Sequence, residues 1–480
     1  MAEPGQGRAR KAPAKKPAAR ATVRTSSTPR TKGAQPAKAT KTAKTAKTTK
    51  TAKTTKAAQP AKARKPRAAI AGATATTKPA LRVVRTPERP RRDAAAASRR
   101  SIALLLIPTA LLTVLGLAMV LSAGSISAVE GYGTSFWYFN RQAIYAVAGV
   151  LAMVVAARLP HTVWQKLAVP MMIAVLPLMI IALHPSSGTA LYGASRWIDL
   201  GPVTLQPSEF MKLALVAFTA TILTKKWNKL DDLGHLAIPL APVVLVVALL
   251  VILQRDLGTT VILCGSVFLM MFAAGVRMKY LVISGGVGFA AAAILIFGEG
   301  YRRARFVDAY LNPWADRMGD GYQLIQGLIA LGSGGWFGVG LGASRQKWDY
   351  LPNAHSDFIF AIVGEELGLV GAFVVMIAFG VLLYAGIRIA MQAPDTFGRL
   401  LAAGITSWIG LQTIINLGAV TGLLPITGVP LPLLSFGGTA LVVTLAGIGV
   451  LVSIARSSAP ARKGTRGRGR ARAAAPKARS

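Results

Sequence analysis

The chain has 480 residues with 56 Lys+Arg against 18 Asp+Glu, a formal net charge of +38, and yet 52% of it is hydrophobic. A soluble nucleic-acid binder explains the charge and an ordinary enzyme explains either property alone, but the two together require a segregated chain. Residues 1–100 hold 28 basic residues and three acids, residues 456–480 hold nine basic residues and no acid, and the 355 residues between are nearly neutral, with 19 basic against 15 acidic. A nearly neutral apolar body between two cationic tails reads as an integral membrane protein. The lone Cys264 excludes a disulfide framework and a cysteine-based zinc site.

Residues 1–100 lack aromatic residues, and TKTAKTAKTTKTAKTTK at 40–56 repeats a Lys about every third position. Such a segment cannot bury enough apolar surface to offset its ordering entropy and is expected to be disordered. It either attaches to anionic lipid head groups or nucleic acid, or simply holds orientation. The tail at 456–480, with RGRGRAR, reads the same way.

From residue 101 onward, ten apolar runs recur at bilayer-spanning length. They fall at about 102–123, 141–157, 163–183, 209–224, 236–253, 258–275, 280–298, 358–390, 400–420 and 438–455. The expected fold is an all-α polytopic membrane protein. Strict alternation gathers Arg99, Arg100, Arg158, Lys166, Lys225, Lys226, Lys229, Arg277, Lys279, Arg388, Arg399 and Arg456 on one side, which places both termini in the cytoplasm.

Three outward segments and one long outer loop hold most of the ionisable residues of the body. GASRWIDLGPVTLQPSEFMK at 193–212 supplies Arg196, Glu209 and Lys212; Pro207 suits the first turn of a helix with Ser208 as its N-cap. Lys212, one turn deeper, either snorkels outward or faces a polar cavity. QRDLGTT at 254–260 puts Asp256 in the turn between two spans. The loop 299–357 lies between the seventh and eighth spans and faces outward, yet it carries Arg302, Arg303, Arg305, Arg317, Arg345 and Lys347. Positive charge there runs against the insertion preference, so the loop reads either as a surface with paired charges or as a site for an anionic ligand. KWDYLPNAHSDFIFAIVGEELG at 347–368 closes it, with Asp349, His355 and Asp357 ahead of a helix and Glu365 and Glu366 two turns in. Asp357 reads as an N-cap or, given its charged neighbourhood, as a general base. GVGLGA at 338–343 lacks the strand–helix context of a dinucleotide loop, and no Walker motif occurs, so ATP bound to this chain is not expected to drive a reaction.

These motifs, GASRWIDLG with QPSE, QRDLGT, YLPNAHSDFIFAIVGEELG and LLPITGVPLPLLSFGG, resemble the shape–elongation–division–sporulation family of FtsW/RodA membrane proteins. The resemblance covers about 101–455 and leaves the basic tails outside. It implies ten spans, both ends cytoplasmic, and polymerisation of lipid II into peptidoglycan beside a class B penicillin-binding transpeptidase. The family's essential acid falls on Asp357, the arginine of its GA-x-RW motif on Arg196, the lysine after QP-x-E on Lys212, and the acid of its D-L-G-T turn on Asp256. The chain departs from the family pattern at Arg255, where proline is usual, and at Asp349, where division members often carry Glu. The NAHSDFIFAIVGEELGLVGA stretch is closer to the division branch than to the elongation branch, which implies a place at the septum.

The resulting expectation is inverting glycosyl transfer at the outer membrane face, with Asp357 as base. Arg196, Lys212, Arg302, Arg303 and Arg305 would stabilise the departing diphosphate. Asp256 and Asp349 would either orient these cations or hold a divalent cation, and the residues leave both open. A lipid II flippase and a non-catalytic recruiter of the transpeptidase are the rival readings. The outward clustering of Arg, Lys and Asp disfavours the recruiter, and the lack of an evident polar path on the cytoplasmic side disfavours the flippase.

Overall fold

The computed structural model describes residues 91–184, 188–191, 194–199, 201, 204–230, 232–298, 300, 303, 306–319 and 321–458. The cationic segments 1–90 and 459–480 lie outside the described residues, and with them most of the expectation of disorder; residues 91–100 are described and helical, which corrects that expectation for the end of the first tail. In chain order the elements are α1 (Arg91–Tyr132), α2 (Trp137–Arg158), α3 (His161–Leu183), strands β1 (Gly188–Leu191), β2 (Ala194–Asp199) and β3 (Thr204–Leu205), α4 (Pro207–Lys225), α5 (Leu233–Leu253), α6 (Leu257–Ala273), α7 (Met278–Phe297), α8 (Tyr322–Ser333), α9 (Ile359–Gln392), α10 (Thr396–Val420) and α11 (Gly438–Ser457).

Each of the ten apolar runs falls on one of these helices. Helices α1, α2, α3, α7, α9, α10 and α11 are long and apolar enough to cross a membrane; α5 and α6 hold shorter apolar stretches, and α4 carries Glu209, Lys212 and Lys225. Helix α2 packs along α11, α1 along α9, α3 along α4, and α10 against α4, α6 and α9. This makes α10 and α11 the enclosed centre, whereas α7 is almost wholly exposed. Its outward Val282, Val287, Phe289 and Ile294 suit a lipid solvent, which rewards no burial of apolar side chains.

One feature corrects the all-α expectation. Strands β1, β2 and β3 form an antiparallel sheet in that order, Ile198 pairing with Gly188 on one side and Leu205 on the other. The run ASRWID is too short and too polar to span, and it pairs because Gly201 (φ 85°) turns the chain back. The 299–357 loop also holds a helix of its own, α8, which packs on α9. Helix α4 begins at Pro207 with Gln206 at its N-cap, so Ser208 lies inside the first turn and does not cap it.

Helix α9 is broken within its first third. Gly368 has φ 68°, a left-handed conformation that frees the backbone on both sides of the break. The freed carbonyls of Glu365 and Glu366 accept from Val339 N and Gly340 N, while Leu369 N and Val370 N donate to Gly335 O and Trp336 O. The GVGLGA segment is therefore a strap docked into a helix break. Buried backbone groups need partners, and the strap supplies them.

Candidate active site

Strand β2 carries Arg196 to the turn between α5 and α6. Arg255 adopts φ 58° there, which exposes its carbonyl. Arg196 Nη2 donates to Arg255 O at 2.9 Å, and Nη1 lies 3.4 Å from Asp256 Oδ2. Asp256 is the N-cap of α6: its carboxylate accepts from Thr259 N and Thr259 Oγ1, each at 2.9 Å. The carboxylate is thus buried and occupied by Thr259 and Arg196, while the guanidinium stays partly open. Asp256 orients Arg196.

Lys212 goes elsewhere. Its ammonium lies 2.8 Å from Glu209 Oε1 and donates to Gln412 Oε1 at 2.9 Å, and the side chain is 1% exposed. Trp408 Nε1 donates to the same oxygen at 3.0 Å. Of the two alternatives that its position left open, Lys212 does not snorkel outward; it is buried among polar partners. A buried ammonium without a counter-ion would cost roughly several kcal/mol, and Glu209 one turn away offsets part of that cost. Gln412 passes the connection on, its Nε2 donating to Pro430 O at 2.9 Å.

Asp357 lies ahead of α9, which starts at Ile359 with Phe358 at its N-cap, so the acid stands one residue before the cap. It is half-buried. Asn416 Nδ2 donates to Asp357 O and to Val429 O, both at 2.8 Å. A β-carbon on Gly428 would lie 3.5 Å from Asp357 Oδ2, and Gly428 has φ 70°. His355, two residues earlier, rests on the Tyr138 ring at 4.2 Å and near Phe436 at 5.7 Å. Desolvation by this surround pushes its imidazole down to about 4, although part of its edge remains accessible. His355 is neutral at physiological pH and is no cation for a diphosphate.

Glu365 and Glu366 face the interior, as intramembrane carboxylates should. Glu365 accepts from Ser344 Oγ (2.5 Å) and Arg345 N (2.9 Å); Glu366 accepts from Ser122 Oγ (2.5 Å) and Ser344 N (3.3 Å). They hold the end of the strap against α1 and α9. Asp349 lies against α1, where it accepts from Ser127 Oγ at 3.3 Å and its nearby carboxylate pushes the Glu130 carboxyl up from its ordinary value. Arg303 is exposed, and Arg302 and Arg305 lie outside the described residues. Among the described residues no three metal-ligating side chains come together.

The loop 421–437 joins these parts. Gly258 at the start of α6 packs on Thr427 and Val429, Gln412 holds Pro430, Asn416 holds Val429, and Phe436 N donates to His355 O at 3.0 Å. Gln142 of α2 pins the far end through Ser435 O (3.0 Å) and Gly437 N (3.3 Å). Sequence reasoning missed Gln412, Asn416 and Gly428 as site residues. The available signal was two amides, four residues apart, inside an otherwise apolar span.

The family described as "Cell cycle protein", which groups FtsW, RodA and SpoVE, matches residues 102–459. The chain belongs to this family. It is 42% identical to stage V sporulation protein E of Bacillus subtilis (strain 168) over 355 residues, which cover 74% of this chain and 97% of that protein. It is 41% identical to a probable peptidoglycan glycosyltransferase FtsW of Geobacter metallireducens over 356 residues, covering 74% and 94%. Among solved structures, it is similar to the crystal structure of the rod shape determining protein RodA of Thermus thermophilus, with a TM-score of 0.56 and 28% identity over 74% and 97% of the two chains. A chain from a study of how a peptidoglycan synthase complex coordinates polymerization and crosslinking gives a TM-score of 0.62 at 29% identity, covering 74% and 98%.

Proposed function

We propose that this chain is a peptidoglycan glycosyltransferase that polymerises lipid II at the outer face of the bacterial cytoplasmic membrane. The observation that carries the chemistry is the Asp357 carboxylate, half-buried against Gly428, its backbone fixed by Asn416, beside the 421–437 loop that also packs on Gly258 next to the Arg196–Asp256 turn. Asp357 takes the proton from the GlcNAc 4-hydroxyl of one lipid II as that oxygen attacks the anomeric carbon of the donor chain. The new glycosidic bond forms with inversion, and undecaprenyl diphosphate leaves with the electron pair. Arg196, held in direction by Asp256, stabilises the charge on the leaving diphosphate, with Arg303 and its neighbours Arg302 and Arg305 drawing the anion to the outer surface. Lys212 acts from inside, through Gln412, on the position of Pro430.

In this reading the chain crosses the membrane ten times, with both termini cytoplasmic. Supporting it, α4, α5 and α6 pack among the seven longer apolar helices, and the basic residues of the short connections fall on one side. A class B penicillin-binding transpeptidase works beside it, and the site of action is the division septum. The cationic tails hold anionic lipid or nucleic acid near the inner leaflet. Purified protein, incubated with lipid II with and without the transpeptidase, is expected to yield glycan chains; no polymer under either condition overturns the reading.

A further inference from the structure

We propose that Asn416 is a positioning residue for the transfer: one side-chain amide, donating to the carbonyls of Asp357 and Val429, sets the gap between the Asp357 carboxylate and the Gly428 loop. This rests on the reading of Asp357 as the base.

The two acceptors fix which end of the amide faces them, because a carbonyl takes hydrogen bonds only from the NH2 end. One nitrogen therefore spans two chain segments that share no helix. Asp357 belongs to the turns ahead of α9, Val429 belongs to the loop after α10, and Asn416 sits on α10 between them. Backbone on both sides of the acid's pocket is tied to one side chain. Without it, neither the Asp357 carbonyl nor the Val429 carbonyl keeps this donor, and the nearest backbone tie between the two segments is Phe436 N to His355 O, two residues before the acid.

Asn416 has a cost that an element of pure packing would avoid. Its Oδ1 is buried and takes no hydrogen bond, while the residue itself is 2% exposed. A leucine there would remove the unmade Oδ1, but it would also take the donor from the Asp357 and Val429 carbonyls. One turn earlier, Gln412 repeats the arrangement: it donates to Pro430 O and is held by Lys212 and Trp408. The buried Glu209–Lys212 pair of α4 is thus the far anchor of a polar chain that runs through Gln412 to the loop facing Asp357. An acid that removes a proton needs its partner within hydrogen-bond reach, and displacements of about 1 Å cost on the order of 100-fold in rate. The amide ladder on α10 holds the site within that tolerance.

Asn416→Asp keeps the shape and replaces the NH2 end by an oxygen that can serve at most one of the two carbonyls, and only when protonated; Thr413→Val, in the same buried stretch of α10, removes a hydroxyl that bonds Ile409 O and serves as the control. Initial rates of polymerisation are read against lipid II concentration for the purified chain with its transpeptidase. The expected result for Asn416→Asp is a kcat lowered about tenfold or more, with KM changed by less than about twofold, while Thr413→Val stays near wild type. A second readout needs no activity. In a Cys264→Ser background, a cysteine introduced by Ser356→Cys is labelled with a membrane-impermeant maleimide, and its rate is expected to rise several-fold when Asn416→Asp is added. Wild-type kcat in Asn416→Asp, or a loss confined to KM, or an unchanged labelling rate, overturns the proposal. If wild type itself makes no polymer, the polymerase reading fails, and the labelling rates still decide whether Asn416 holds the segment.

Discussion

Lys212 and Glu209 are both buried, 2.8 Å apart, and the pair is worth most when whole. Lys212→Ala leaves a buried carboxylate uncompensated and is expected to destabilise by about 3–5 kcal/mol, whereas Lys212→Met with Glu209→Gln removes both charges and costs much less. Thermal melting of the purified variants decides this; a double variant as unstable as Lys212→Ala contradicts the interior role. His355 gives a pH signature. Burial holds its imidazole at about 4, below the ordinary value of 6.5, so between these limits the unfolded chain binds a proton that the folded chain does not. The folded state keeps its full advantage above pH 6.5 and loses it progressively as pH falls to 4. His355→Phe, which preserves a ring against Tyr138 and Phe436, is expected to flatten the fall in melting temperature across that window. Parallel wild-type and variant profiles would remove His355 as the cause.

At the scale of elements, the break in α9 is the feature on which the outer loop hangs. Gly368 needs a left-handed backbone, and a β-carbon there would run into the backbone of Trp336 and Phe337. Gly368→Ala is expected to cost at least about 1–3 kcal/mol from the strained conformation alone and to loosen the strap. Protease sensitivity of residues 334–347 in otherwise folded protein is the measurement, and a variant as resistant as wild type counts against the docking role. The helices were legible because apolar runs of about 20 residues have few other uses, and Asp256 and Asp357 stood out as charges beside such runs. The sheet was not legible, since β2 and β3 are short and gain stability only by pairing. Nor was the destination of Lys212: its partner Gln412 is 200 residues away in sequence, and local spacing shows Glu209 but not the amide. The strap hid for the same reason, because GVGLGA has meaning only beside the carbonyls that Gly368 sets free.

The whole chain joins a nearly neutral membrane body to cationic ends, with 28 basic residues in its first 100. Each basic residue close to an anionic leaflet is worth on the order of 1 kcal/mol, but only those within a Debye length count together. Lysines spread among Thr and Ala, without aromatic residues, favour diffuse polyanion binding over any part in catalysis. Deleting residues 2–90 is expected to leave polymerisation by the purified enzyme nearly unchanged. The isolated segment should bind anionic liposomes or DNA in a salt-dependent way; an inactive truncated enzyme, or equal binding to neutral liposomes, argues otherwise. The central claim is that Asp357 removes the acceptor's proton. The most direct measurement compares wild type with Asp357→Asn, purified with the transpeptidase and supplied with lipid II, each variant first shown to melt as wild type does. Glycan polymer from wild type and essentially none from the folded Asp357→Asn protein is the predicted result; substantial polymer from Asp357→Asn contradicts it.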